Sequence, residues 1–311
     1  MSVQRQEQID RLTHALEQLL ARPGLTAEVA AGAAENLVML RASRSVAGYL
    51  HWLWTRGLGL PRNRLVEIQE LLPEFDAQVH AGLLEVEQGR YPNLILPLVQ
   101  TLTRAVTDAA GPVSIIDLGA GAMTTERRVL GELIAQRHPH PVLMIGVDHS
   151  PIAREMARRQ MTSLGDEVEV VEEDALDLPR CLSDARQLRR HRVILADVAV
   201  EDLPRNPPVK ADVVLHCFLR HHLAEPAAMK LDALALSLGE RVLEYDGFRN
   251  AVALAFFSAY GWRDPTFLAA TIFSYLAFST RAIIARRAGC APLSFHRTGA
   301  YLLQQHSAAN A

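Results

Sequence analysis

The sequence predicts an α/β fold, an open and mostly parallel sheet preceded by an all-helical segment, and three observations carry that prediction. A short apolar run, Ser114-Ile115-Ile116-Asp117-Leu118, ends in a tight glycine turn, Gly119-Ala120-Gly121. A second run, Pro141 to Val147, ends in Asp148. No strand-like alternation occurs before Val113, whereas apolar residues recur at helical spacing throughout that stretch. The expected organisation is residues 1–110 as a helical cap or dimerisation domain and 111–311 as a sheet domain, with a hydrophobic insertion near 247–279.

In the N-terminal part, Ile9, Leu12, Leu16, Leu19 and Leu20 mark an amphipathic helix that ends before Pro23-Gly24. Further helical stretches follow, the last over 94–109. Two roles stand open for this part. It can pack on the sheet and on a second copy of the chain, as a homodimer, or its aromatics, Tyr49 and Trp52 among them, can line a pocket.

After the glycine turn, Thr124-Thr125-Glu126 opens a helix with Val129, Leu130, Leu133 and Ile134 on one face. Past Asp148, Ser150 is a natural cap with Pro151 at the first helical position. Two segments then compete for the third strand: 168–175, which contains Asp174, and 193–198, which contains Asp197; the second has the edge. Residues 211–217 read as the fourth strand and 241–246 as the fifth. An apolar, aromatic stretch follows from Phe248 to Phe278, Ser279 caps a helix to Gly289, and a hairpin around Gly299 closes the chain.

Strand, glycine loop and helix form a nucleotide-binding crossover, and an acid at the tip of the second strand can accept both hydroxyls of a cofactor ribose. Asp117 decides between cofactors. In a dinucleotide site the loop wraps a pyrophosphate, and a like-charge pair near 4 Å costs about 4 kcal/mol per unit charge at an effective dielectric of about 20. The third glycine of G-x-G-x-x-G is also missing, Thr124 standing in its place. A phosphate-free cofactor bearing ammonium and sulfonium charges would instead be attracted.

On Asp117, Gly119 and Gly121, the sequence resembles the class I S-adenosylmethionine-dependent methyltransferases, with Met123 where a third glycine is usual. The resemblance covers roughly 112–305 and implies a Rossmann-like seven-stranded sheet, mostly parallel with the last strand antiparallel. It implies S-adenosyl-L-methionine as cofactor, held by Asp117, Gly119, Ala120, Gly121, Asp148, His149, Asp174 or Asp197, Val198 and His216. The segment after strand four would face the transferred methyl group. His221 and His222 there are candidate general bases, and Arg220, Tyr245, Phe256 and Tyr260 join Tyr49 and Trp52 as candidate substrate contacts.

The aromatic stretch suggests a small apolar or aromatic acceptor, methylated on oxygen, nitrogen or carbon. Two other readings stay open: a catalytically silent cofactor-binding partner, and an aminocarboxypropyl transferase. A net charge of -3 gives no footprint for nucleic acid or an anionic membrane. Three scattered cysteines indicate neither a disulfide framework nor a zinc site, and no ligand spacing points to a metal. The apolar stretch is interrupted by Arg263, Asp264 and Pro265, short of the roughly 20 residues of a membrane span, so the expectation is a soluble, cytoplasmic protein.

Overall fold

Two strands that are apolar along their length, β1 (Val113–Leu118) and β2 (Val142–Val147), are buried at every residue and pair in parallel, Val113 opposite Val142 through Leu118 opposite Val147. They are the centre of a computed structural model that describes residues 94–174, 176–249 and 278–307, with 13, 14, 17 and 21. The expected helices before residue 94 and the candidates Tyr49, Trp52, Phe256 and Tyr260 lie outside the described residues.

Chain contacts divide the protein into two compact units. One comprises Leu83–Arg220, Pro226–Asp246 and Ala282–Ala311; the other comprises Met1–Gly82, His221–Glu225 and Gly247–Arg281.

The first of these is built on an eight-stranded sheet in the order β3-β4-β2-β1-β5-β6-β8-β7. Beyond β1 and β2, its strands are β3 (Val168–Glu173), β4 (His191–Ala196), β5 (Ala211–Cys217), β6 (Gly239–Gly247), β7 (Leu293–Phe295) and β8 (Ala300–His306). The pairs from β3 through β6 are parallel. Ser307, just past β8, donates to the Glu240 carbonyl near the start of β6, so β8 runs against β6, and it pairs antiparallel with β7 across the Gly299 turn. This is the mostly parallel α/β sheet with a terminal antiparallel pair that the sequence implied. It has one strand more than seven because both segments competing for third place are strands: β4 pairs with β2, and β3 adds an outer edge.

Six α-helices accompany the sheet among the described residues: α1 (Leu96–Thr107), α2 (Thr124–Ala135), α3 (Pro151–Thr162), α4 (Leu178–Asp184), α5 (Glu225–Leu238) and, before β7, α6 (Arg281–Ala288). Leu98, Val99, Leu102 and Val106 form the buried stripe of α1 and join Ile115, Leu130, Leu133 and Met144 in one core. The 94–109 helix, expected among the N-terminal helices, thus packs on the sheet. Ser150 caps α3, its Oγ accepting from the Ala153 N–H, with Pro151 at the first position as expected. The helix expected to start at Ser279 begins at Arg281, because Ser279 is bridged to Phe248.

In the other unit, Arg281 stands over the Phe248 ring at 5.4 Å, and the His221 ring meets those of His222 at 3.9 Å and Phe278 at 4.7 Å. Among the described residues no helix is long and apolar enough to cross a membrane.

Candidate functional site

Where β1, β2 and β4 end side by side, the backbone itself builds a cradle. The Gly119 and Ala120 N–H groups donate to the Val147 carbonyl at 2.9 and 3.1 Å, and the Asp148 N–H donates to the Ala196 carbonyl. Asp148 then closes the loop from the side: one carboxylate oxygen accepts the Gly121 N–H at 2.8 Å and the other accepts the Ser150 N–H at 2.8 Å. Each oxygen keeps a second lone pair for an incoming hydroxyl.

The loop needs unusual backbone. Gly119, Gly121 and Met123 all have positive φ, 69°, 53° and 52°. Met123 therefore keeps the left-handed conformation that a glycine would favour, while its side chain is fully buried against Gly146 of β2. A Cβ at Gly119 would lie 2.8 Å from Leu219, so the segment after β5 lies directly on the loop. Phe218 in that segment has φ 52°, strain at the mouth of the site held by its N–H bond to the Tyr245 carbonyl.

Under the loop lies a pair of buried acids. Asp117, at the end of β1, is 3% exposed, and Glu126, in the first turn of α2, is 1% exposed. Their carboxyl groups are hydrogen-bonded to each other, and Asp117 Oδ1 and Glu126 Oε1 find no donor among the described residues. Burial and the facing Glu126 carboxylate, with Asp148 behind it, push the Asp117 carboxyl well above the usual range; burial likewise raises Glu126 to about 7. From α3, buried Gln160 donates to the Ala122 carbonyl at 2.8 Å and to Thr124 Oγ1 at 3.0 Å, fixing the far side of the loop.

Asp117, Gly119, Ala120, Gly121 and Asp148 are thus brought together. His149 beside Asp148 is exposed. Asp197 follows the strand adjacent to β2, with half-buried Val198 next, and its carboxylate pairs with Arg154 of α3. Asp174 follows the outer strand and is exposed, one further strand spacing of about 5 Å from the loop.

His216 is placed elsewhere. Leu215 shares a register position and a face with Asp117, so the next residue of β5 points to the opposite side of the sheet. There, buried, it joins Asp232 and Glu244, the ligand-type atoms of the three lying within 4.8 Å of one another. Two guanidinium groups already engage these acids: Arg220 is 3.1 Å from Asp232 and 3.9 Å from Glu244, and Arg287 and the Tyr301 hydroxyl both bond Glu244. A divalent cation would have to displace them. Arg220, expected as a substrate contact, is accordingly buried in this cluster, and Tyr245 is fully buried with its hydroxyl donating to the Leu94 carbonyl. Side-chain alternation and burial account for both departures.

Sequence reasoning missed Glu126 as the partner of Asp117, Gln160 as a support of the loop, and Arg154 as the partner of Asp197. The visible signal for Glu126 was an acid in the first turn of the helix that leaves the loop.

No protein-family model matches the sequence and no curated protein does. Among solved structures, a plantazolicin methyltransferase in complex with a desmethyl analogue and S-adenosylhomocysteine aligns at 13% identity over 79% of this chain and 98% of its own, with TM-score 0.47. The magnesium protoporphyrin IX methyltransferase of Synechocystis with bound S-adenosylmethionine aligns at 13% identity over 67% of this chain and 77% of its own, with TM-score 0.39. A small RNA methyltransferase, HEN1, aligns at 14% identity over 70% of this chain and 26% of its own, with TM-score 0.46.

Proposed function

We propose that the chain is an S-adenosylmethionine-dependent methyltransferase acting on a small, apolar or aromatic molecule at oxygen, nitrogen or carbon. The observation that carries this reading is the glycine loop with a buried acid pair beneath it and Asp148 at its side. Such a loop repels a pyrophosphate, with or without a proton shared in the pair, because Asp148 and the pair together keep net negative charge. It suits an adenosyl group attached to a cationic amino acid.

In this reading the second lone pairs of the Asp148 carboxylate accept the ribose hydroxyls, Gly119, Ala120 and Gly121 give close backbone approach, and Asp117 supplies the field for the ammonium end. Asp197, beside β2, serves the adenine edge, with Val198 against the ring; Asp174 does not. When bound, the cofactor supplies an electrophilic methyl group, and catalysis consists largely of holding an acceptor atom in line with it. His221 or His222 takes a proton at a ring nitrogen where the acceptor is a phenol or alcohol. The stretch from Phe248 to Phe278 is the proposed source of apolar substrate contacts, and the partner is a small molecule and not a nucleic acid.

Incubation with methyl-labelled S-adenosylmethionine and a panel of phenols and amines tests this. Label on an acceptor, with S-adenosylhomocysteine released, supports the proposal. Cofactor binding with no label transferred to any acceptor supports a silent binding protein instead, and methylthioadenosine among the products supports aminocarboxypropyl transfer. Binding of a nicotinamide dinucleotide in place of S-adenosylhomocysteine overturns the cofactor itself.

A further inference from the structure

Two carboxyl groups in mutual hydrogen-bond contact need a proton between them. Asp117 and Glu126 meet in that way, both more than nine-tenths buried, and each has an oxygen that no donor among the described residues satisfies. One shared proton accounts for both oxygens at once. It also removes one of two negative charges from a dry site, as in other close carboxyl pairs.

Among the described residues, the surroundings offer no cation to replace that proton. Glu126 faces Asp117 from α2, and Asp148 adds like charge from the loop after β2. Gln160 from α3 is neutral and bonds the loop backbone and Thr124. On the β5 side the register neighbour of Asp117 is Leu215. The helical first turn and the Glu126 N–H favour negative charge on Glu126, but burial outweighs them.

We propose that the Asp117–Glu126 pair is a proton-linked counter-charge: the empty site holds one proton between the two carboxyls, and arrival of the cationic cofactor drives that proton to solvent. The inference rests on the cofactor assignment above and goes beyond it, since the assignment requires only negative charge and not its exchange for a proton. The balance is simple. No covalent bond to the cofactor changes; one carboxyl O–H bond breaks, the electron pair stays on the carboxylate, and the proton leaves to buffer. Cofactor affinity must then rise with pH wherever the empty pair is protonated, about tenfold per pH unit at full linkage to one proton, and level off where the pair ionises unaided. The raised position of both acids extends the rising part upward beyond the usual carboxyl range.

The test is calorimetric titration of the whole protein with S-adenosylmethionine near pH 7 in buffers of different ionisation enthalpy. The dependence of the observed heat on buffer gives the number of protons released. The wild type is expected to release about one more proton than Glu126→Gln, in which the amide donates to Asp117 and no shared proton is needed; the difference cancels any proton taken up by the cofactor's own amine. Asp117→Asn is the second variant should the first not fold. Independently, the infrared carbonyl band of a protonated carboxyl should be present in the cofactor-free wild type and disappear on binding. Equal proton release in wild type and variant, or a carboxyl band unchanged by cofactor, overturns the linkage while leaving the cofactor assignment intact. Failure of S-adenosylmethionine and S-adenosylhomocysteine to bind at all overturns the assignment itself.

Discussion

Met123 and Gly146 are a matched pair. A non-glycine residue in the left-handed region costs about 1–2 kcal/mol, yet Met123 is held there with its side chain buried and its sulfur in the space a Cβ at Gly146 would fill, 2.6 Å away. Ala120 Cβ would stand 3.1 Å from that same added atom. Met123→Gly relieves the backbone but empties a core position whose loss is worth about 2–5 kcal/mol, so it should lower stability by about 1–3 kcal/mol in urea unfolding. Gly146→Ala overpacks the same spot and should cost about 1–3 kcal/mol. Combined, the two substitutions should destabilise by less than their sum, because the new methyl group enters the space the methionine leaves. Strict additivity in the double-mutant cycle would mean the two residues do not share that space. Asp148 joins loop and ribose functions in one side chain: Asp148→Ala leaves the Gly121 and Ser150 N–H groups without their acceptor and should weaken S-adenosylhomocysteine binding at least tenfold, measured by calorimetry.

The elements around the site make separable contributions. Ser150 caps α3, so Ser150→Ala should cost about 1 kcal/mol in unfolding free energy without removing the cradle. Asp197 and Asp174 follow neighbouring strands, and of these two strands β4 is the one paired with β2. Asp197→Asn should therefore weaken cofactor binding about tenfold while Asp174→Asn leaves it unchanged; equal effects would remove β4 from the role given to it. This pair also shows what the sequence could and could not carry. The strands, the glycine turn, the capped helix and the final hairpin were legible because each is set by local patterns: apolar runs, positive-φ glycines, Ser-Pro at a helix start. Which of two good strands lies next to β2 depends on pairing between distant segments, and no local pattern encodes that. The same holds for His216: its residue type suited a site, but its face follows from the register of β5 against β1. Glu126 was missed because its role exists only where α2 folds back over the end of β1.

At the scale of the whole molecule, the two faces of the sheet carry different kinds of interior. One buries the apolar core of α1, α2 and the central strands, ending at Asp117 and the loop. The other buries His216 among Arg220, Asp232, Glu244 and Asp246, with Arg287 and Tyr301 closing on Glu244. Such a cluster ties stability to pH. Burial, with Arg220 acting in the same sense against an opposing Asp246, lowers His216 to about 4. Below the unfolded histidine's pKa of about 6.5 the unfolded chain takes up a proton that native His216 refuses until about pH 4, so this residue's contribution to stability falls as pH drops through that window. The full loss is at most about 3.5 kcal/mol, since each tenfold difference in proton affinity between the native and unfolded chains is worth about 1.4 kcal/mol. Glu126 and Glu244, raised by burial to about 7 and about 8, act with the opposite slope, since the unfolded chain gives up their protons first as pH rises above the usual carboxyl range. The wild-type profile alone therefore mixes the two, and the useful quantity is a difference. His216→Asn removes the histidine proton and keeps the acids, so the unfolding free energy of wild type minus variant, measured by urea titration from pH 7 to pH 4.5, should decline steadily toward acid. A flat difference would mean that native His216 takes up its proton as readily as the unfolded chain does, and that the buried acids around it already hold it as a cation.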